Sequence, residues 1–365
     1  MIAPAHPRRS PTASFLLVAA CLAVLPGLGC RGKKAPEQSA AQPKEASAPQ
    51  PLPARDIPIL CLHDVGATAK NPYSTKTADL EKYLQWLSQE GYKTVTVRDV
   101  AAFLGRQGQL PEKPIVVSFD DNWKSAIKVV KPLFDKYSFV GVAFVMTDNV
   151  GTGERKLSWD DCKALAQAGW EIGSHTTTHE NLTKVAAGKK PESIRKMVED
   201  QIRGSKQAMD AKVGVPATTL ALPFGNYDTF VLETARDAGY TAVVSIDRGL
   251  ADEQSDPLLL PRRMIVKGTS FATFKRLCTT KTLHVAHLSP PAGTRVTEAA
   301  PTITGVLSDP DVTTAPRAEV QGKKATVTLD PQTRQITLKA QLNRGANSIA
   351  LAAGGREVSW LLIRD

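Results

Sequence analysis

Two histidines four residues apart, in Gly173-Ser174-His175-Thr176-Thr177-Thr178-His179, directly follow an apolar run. Imidazoles at that spacing, on a helical turn or a curved loop, can converge on one cation. They can equally be two surface histidines in a Thr-rich loop. Two adjacent carboxylates, Asp120 and Asp121, close a second apolar run, Val116-Val117-Ser118-Phe119. In α/β folds the carboxyl end of a strand is where ligands bind and barrel active sites are built. Asp and Asn also favour helix N-caps, so this pair alone has two readings. One carboxylate with two imidazoles makes a facial site with positions open for water. A third segment, Leu220-Ala221-Leu222-Pro223-Phe224-Gly225-Asn226-Tyr227, also ends an apolar run. Its Pro and Gly enforce a sharp turn, which either presents backbone N–H groups to a ligand or is only a turn. Beyond the N-terminal segment the other histidines are His63, His284 and His287.

These residues need elements to position them. Short apolar runs predict strands over 58–62, 94–97, 114–119, 141–146, 170–173, 218–222 and 241–245. Amphipathic stretches predict helices over 78–90, 123–137, 158–168, 193–211 and 229–238. In the second of these helices Ile127, Val130 and Phe134 recur at helical steps. Alternation of apolar strands with helices argues a parallel sheet covered by helices over 56–284, hence an α/β barrel or a doubly wound sheet. From 289 to 365 the texture changes: no His, Cys, Phe or Tyr occurs there. Period-two patterns at Ala325/Val327/Leu329, Ile336/Leu338/Ala340/Leu342 and Val358/Trp360/Leu362 predict a small β-sandwich. The run from Leu342 to Ile349 resembles the strand-turn-strand of bacterial Ig-like modules. Metal chemistry therefore belongs to the first region.

The chain has 365 residues, 42% hydrophobic, 22% charged and 6% aromatic, an ordinary globular composition of about two domains with extras. No glycine period, heptad or charge block runs through it, which excludes collagen-like, coiled-coil and wholly disordered chains. The formal net charge is +10, dispersed and without an aromatic-interleaved stripe. Such a surface favours anionic envelope polymers or phospholipid over nucleic acid. Arg8 and Arg9 precede an uncharged apolar run over 13–28, too short to span a bilayer as a stable helix, so residues 1–30 read as an export signal. Leu28-Gly29-Cys30 before Arg31-Gly32-Lys33-Lys34 resembles a bacterial lipoprotein cleavage site, with Cys30 as the lipidated residue ahead of Cys21. Residues 31–55, with Leu52 as their one large apolar residue, are expected to be a disordered tether. This predicts an exported envelope protein anchored to a membrane by lipid. No CxxC occurs, and Cys61, Cys162 and Cys278 form an odd set without paired spacing, so a disulfide framework is not expected.

Taken together and in order, the three motifs resemble the NodB-homology polysaccharide deacetylases, carbohydrate esterase family 4. The family's (T/S)FDD(G), H(S/T)xxH and RxPxG motifs match residues 118–122, 175–179 and 221–225, and the resemblance spans about 57–280. Leu60-Cys61-Leu62-His63-Asp64-Val65 and Leu260-Pro261-Arg262-Arg263 further resemble the branch that deacetylates poly-β-1,6-N-acetylglucosamine. The resemblance implies a distorted (β/α) barrel followed by the Ig-like sandwich. Asn122 replaces the family's usual Gly. Ala221 stands where most members carry an Arg that pairs with the catalytic base, and Arg262 or Arg263 is the expected substitute. The late Leu-x-His motif has only Leu283-His284 and Ala286-His287 nearby.

The resemblance implies hydrolysis of an acetamide. Asp121, His175 and His179 would hold a divalent metal, Zn2+ or in its place Co2+ or Ni2+. Asp120 would be the general base, the backbone N–H of Phe224 would stabilise the oxyanion, and His63 would be the acid, with His287 or His284 in reserve. Trp123, Tyr227, Arg262 and, with less reason, Trp159 are candidates for contacting sugar, against the commoner fate of core packing. The substrate would be an N-acetylglucosamine polymer, with peptidoglycan, chitin or acetylated xylan as alternatives. The competing reading is a carbohydrate-binding envelope lipoprotein without catalysis. The partner of the C-terminal module has no signal in the sequence.

Overall fold

Strands that are apolar along their whole length must be covered on both faces, and the intervening amphipathic helices provide that cover. The computed structural model describes residues 51–184 and 190–365. Its first sheet contains β1 (Ile59–Leu62), β2 (Lys93–Thr94), β3 (Pro114–Phe119), β4 (Val142–Val145), β5 (Glu171–Ser174), β6 (Thr219–Ala221), β7 (Ala242–Val244) and β8 (Arg263–Met264). Every residue of β1, β3, β4, β5, β6 and β7 is buried. The order is β8-β1-β3-β4-β5-β6-β7, with β2 beside β3, and all pairs are parallel.

The segment before β8 closes the row. Leu260 bridges in parallel to Val244, and three residues on Arg263 pairs with Leu60. One short stretch thus joins the last strand to the first, and the result is a distorted barrel. Its strands point the same way, so their carboxyl ends open on one mouth.

The surrounding helices are α1 (Thr77–Gln89), α2 (Val97–Leu104), α3 (Lys131–Lys136), α4 (Trp159–Gln167), α5 (Pro191–Val213), α6 (Thr229–Asp237) and α7 (Phe271–Thr279). The strand expected over 94–97 is corrected. Only Lys93–Thr94 pairs with β3, because Thr96 and Asp99 form a capping box that starts α2. The helix expected from 123 begins instead with a wide π-type turn, Ala126–Val130. Trp123 and Lys124 are drawn off by backbone pairing with Lys156 and Arg155.

The C-terminal region holds two sheets. One has the order β9-β11-β15-β14, from Val285–Ser289, Thr302–Leu307, Gln335–Lys339 and Val327–Leu329. The other has β10-β17-β16-β12-β13, from Arg295–Val296, Arg356–Arg364, Gly345–Ala353, Arg317–Val320 and Lys323–Ala325. Ile303, Leu338, Leu351, Trp360 and Leu362 meet in one core between them. On β17 the other phase is buried too: Leu361 and Ile363 pack with Ile202 and Val231 of the barrel's helices and with Leu182 of the loop after β5. The alternation read from Val358/Trp360/Leu362 therefore separates two cores rather than core from solvent. The expected signal, Cys30 and most of the tether lie outside the described residues. Leu52, at the tether's end, packs against the barrel core.

Candidate active site

Asp120 leaves β3 at the barrel mouth, its backbone N–H donating to Leu62 O at 2.9 Å. Its side chain is buried and each oxygen has an assigned neighbour. Arg262 Nη1 donates to Oδ1 at 2.8 Å, and the Cys61 thiol approaches Oδ2 at 3.4 Å. Burial alone would raise the Asp120 pKa, but Arg262, then His175 and His63, outweigh it and hold the carboxyl below the ordinary range. Arg262 reaches this position from the barrel-closing segment. Its Nε donates to Ser245 O at 2.9 Å, so the guanidinium is fixed at both ends.

The next two residues turn sharply, Asp121 at φ 73° and Asn122 at φ 57°. Left-handed backbone suits Gly, and Asn tolerates it better than most side chains. The Asn122 amide also pins the turn: Nδ2 donates to Met146 O at 2.9 Å, and Met146 N–H donates to Oδ1 at 2.7 Å. That contact accounts for a residue other than Gly here. It turns Asp121 toward the histidines, with Oδ1 3.7 Å from His175 Nε2 and 3.9 Å from His179 Nε2.

His175 follows β5 and is buried. Its Nδ1 lies 2.8 Å from Ala221 O, a carbonyl that can only accept, so Nδ1 carries the proton and Nε2 keeps a lone pair directed at Asp121. His179 sits at φ 66° with its N–H donating to Thr176 Oγ1. Burial, then the neighbouring His175, pushes its pKa down. The donor atoms of Asp121, His175 and His179 lie within 4.8 Å of one another. A shared cation with bonds of about 2.0–2.2 Å can draw such a set together. Two imidazoles and a carboxylate, with the carboxylate of Asp120 alongside, can hold an electrophilic cation next to a proton acceptor.

His63 follows β1, and its donor atom lies within 4.8 Å of those of Cys61 and Asp120. Burial lowers its pKa, partly offset by Asp120 and Asp121. Phe224 occupies a left-handed turn, φ 59° and ψ 7°, and is 56% exposed.

Several expectations are corrected. Tyr227 is fully buried; its hydroxyl donates to Asp247 Oδ2 at 2.9 Å and accepts from Leu361 N–H, so it ties barrel to sandwich and faces no ligand. Arg262 is 1% exposed and meets the carboxylate of Asp120, not a sugar. Arg263 instead faces Glu357 of the sandwich. His284 is held between Asp252 and Asp309, and His287 is exposed on β9. Neither is placed as an acid. Trp123 has Lys156 Nζ over one ring face at 4.1 Å, and Trp159 packs against the main core. The contact of Cys61 with Asp120 was not among the sequence expectations. The signal was its place two residues before His63, on the strand that leads into it.

The family model described as polysaccharide deacetylase matches residues 107–243, which include Asp120, Asp121, His175, His179 and Phe224. The YxkH protein of Bacillus subtilis strain 168 is 26% identical over 218 residues, 60% of this chain and 74% of that protein. The poly-beta-1,6-N-acetyl-D-glucosamine N-deacetylase of Staphylococcus aureus strain MRSA252 is 22% identical over 198 residues, 53% of this chain and 68% of its own. Among solved structures, the Streptococcus pyogenes deacetylase PplD in complex with acetate superposes with a TM-score of 0.55 at 22% identity, covering 61% of this chain and 98% of that one. The likeness to PplD concerns the barrel fold. By that match, the segment 107–243, which carries the site, is a polysaccharide deacetylase domain, the mark of hydrolases acting on N-acetyl amide bonds.

Proposed function

We propose that this protein is a metal-dependent N-deacetylase of N-acetylglucosamine-containing envelope polysaccharide, with poly-β-1,6-N-acetylglucosamine as the favoured polymer. The observation that carries this reading is a carboxylate locked by arginine, Asp120, beside a ready donor set, Asp121, His175 and His179. The activity for which the Staphylococcus aureus relative is named supports the choice of polymer. The donor set suits Zn2+, with Co2+ or Ni2+ as alternatives, because two imidazoles and one carboxylate with open positions are the make-up of catalytic zinc sites. The His175 tautomer, set by Ala221 O, supports the same assignment. When bound, such an ion supplies Lewis acidity to water and to the acetyl carbonyl.

The chain's own residues carry the proton traffic. Arg262 occupies Asp120 Oδ1, so Oδ2, which meets only the weakly donating Cys61 thiol and lies 3.7 Å from His175 Nε2, accepts a proton from the attacking water. The Phe224 N–H donates to the developing oxyanion. His63 gives a proton to the departing amine nitrogen.

On the same reading, residues 1–30 export the protein, Cys30 carries lipid, and residues 31–55 tether the barrel at the envelope. The C-terminal sandwich is an Ig-like module that braces the barrel through β17.

A substrate panel scored for free acetate, with metal content measured in parallel, tests the proposal. Acetate from β-1,6-linked N-acetylglucosamine oligomers is expected, with little from chitin oligomers, peptidoglycan or acetyl-xylan. A metal-loaded protein that releases acetate from none of them would sink it.

A further inference from the structure

Five large hydrophobic side chains are exposed among the described residues: Tyr73, Val215, Phe224, Ile246 and Val266. Four of them belong to loops that follow β1, β6, β7 and β8, at the barrel mouth. They form two pairs on backbone that is held in place. Pro72 O accepts from Lys267 N–H at 2.8 Å, which sets Tyr73 beside Val266. Asn71 Oδ1 accepts from Tyr73 N–H at 2.9 Å, fixing that loop from within. Across the mouth, the Phe224-Gly225 turn lies against Ile246, so closely that a Cβ on Gly225 would fall 2.2 Å from Ile246 Cγ1.

Each pair adjoins one imidazole of the site. The Tyr73 ring lies 5.3 Å from the His63 ring. The Phe224 ring lies 4.6 Å from the His179 ring, edge-on. Tyr73 is 51% exposed and Phe224 is 56% exposed, so both keep open faces on loops the backbone already holds. A pyranose ring presents a face of axial C–H groups, and a rigid exposed aromatic ring is the side chain that matches it at small entropic cost.

We propose that Tyr73 and Phe224 are opposed stacking walls of a sugar subsite, with Tyr73 under the ring whose nitrogen departs. This rests on the reading of His63 as the proton donor, because Tyr73 lies on His63. The polymer then crosses the mouth from the Tyr73–Val266 pair to the Phe224–Ile246 pair. The sugar contact expected from Tyr227 falls to these residues instead.

The experiment compares Tyr73→Ala, Tyr73→Phe and Val215→Ala, the last in the loop leading into β6 at the far end of the barrel. Steady-state acetate release from an N-acetylglucosamine oligomer and calorimetric binding of the same oligomer are both measured. Tyr73→Ala is expected to raise KM about tenfold, the order of a lost ring contact, with kcat within about threefold. Tyr73→Phe should restore KM, and Val215→Ala should not move it. An unchanged KM in Tyr73→Ala overturns the proposal while leaving the deacetylase reading intact, and so does a Tyr73→Phe variant as impaired as Tyr73→Ala. If the wild-type protein releases no acetate, the deacetylase reading fails. The stacking contact, without its alignment to a departing nitrogen, then stands if oligomer binding is lost in Tyr73→Ala, and falls if it is not. Tyr73-dependent binding to phospholipid vesicles without binding to the oligomer also overturns it.

Discussion

Arg262 Nη1 meets Asp120 Oδ1 at 2.8 Å across a separation of 142 residues. The guanidinium and the carboxylate are 1% and 3% exposed. Ala221, at the position where the resemblance leads one to expect an arginine, offers no charge but lends its carbonyl to His175. The segment that closes the barrel, just before β8, supplies the cation instead. A buried charge pair of this kind is costly to break from one side, because the partner stays behind desolvated.

Arg262→Met should therefore lose both stability and activity. Removing one partner of a buried pair typically costs about 3–5 kcal/mol, visible in denaturant titration. Turnover should drop by at least the factor for a mispositioned base, about 10²-fold. Arg262→Lys should not rescue, since one ammonium cannot serve both Ser245 O and Asp120 Oδ1. A lysine variant with normal turnover would remove the positioning role.

Asp120→Asn should cut kcat by about 10²–10⁴-fold while the protein keeps its metal stoichiometry, because Asp120 stands beside the Asp121–His175–His179 set rather than within it. Metal analysis alongside acetate release checks both halves. Loss of metal in this variant would mean that Asp120 is itself a ligand.

His284 predicts an alkaline weakness at the junction of barrel and sandwich. Hydrogen bonding to Asp252 raises its pKa, burial works against this, and Asp309 adds to the rise, to about 9. A folded-state pKa above the unfolded one means the stabilisation is complete below the unfolded value, about 6.5, and fades as pH climbs through about 9. Arg356 also approaches Asp309, at 3.6 Å, so that carboxylate keeps one cation when His284 neutralises. Melting temperature should decline between about pH 7 and 9 in the wild type and flatten in His284→Gln. Parallel profiles for the two proteins would rule the histidine out.

Tyr227→Phe should reduce stability by about 1–3 kcal/mol, the usual consequence of leaving buried polar groups unpaired. The change strips a donor from the buried Asp247 carboxylate and an acceptor from Leu361 N–H. Burial already raises Asp247 to about 6 against the pull of Tyr227, Ser245 and Ser359. KM for an oligomer should stay put. A raised KM with unchanged stability would return Tyr227 to the sugar site.

Much of the barrel was legible because its signals are local. Apolar runs such as Pro114–Phe119 and Val142–Val145 must be buried on both faces wherever they lie, and helical spacing in the intervening stretches is a property of neighbours in the chain. The candidate site was legible for the same reason: Asp120-Asp121, His175 with His179, and the Pro223-Phe224-Gly225 turn are each local in the chain and each end an apolar run. The helix beginning at Val97 was missed because β-branched residues read as strand, while the deciding Thr96–Asp99 cap is a contact between side chain and backbone.

Only tertiary structure could choose between Arg262, just before β8, and Arg263, its first residue, because adjacent residues of extended chain point to opposite sides. One enters the barrel and meets Asp120; the other leaves it and meets Glu357. The same holds for Tyr73 and Tyr227, one exposed over His63 and the other sealed beneath β17. Residue type and spacing in the sequence determined which side chains can do the chemistry. Which of them open on the barrel mouth, and which arginine meets Asp120, depended on how the chain closes on itself, a relation between segments more than a hundred residues apart.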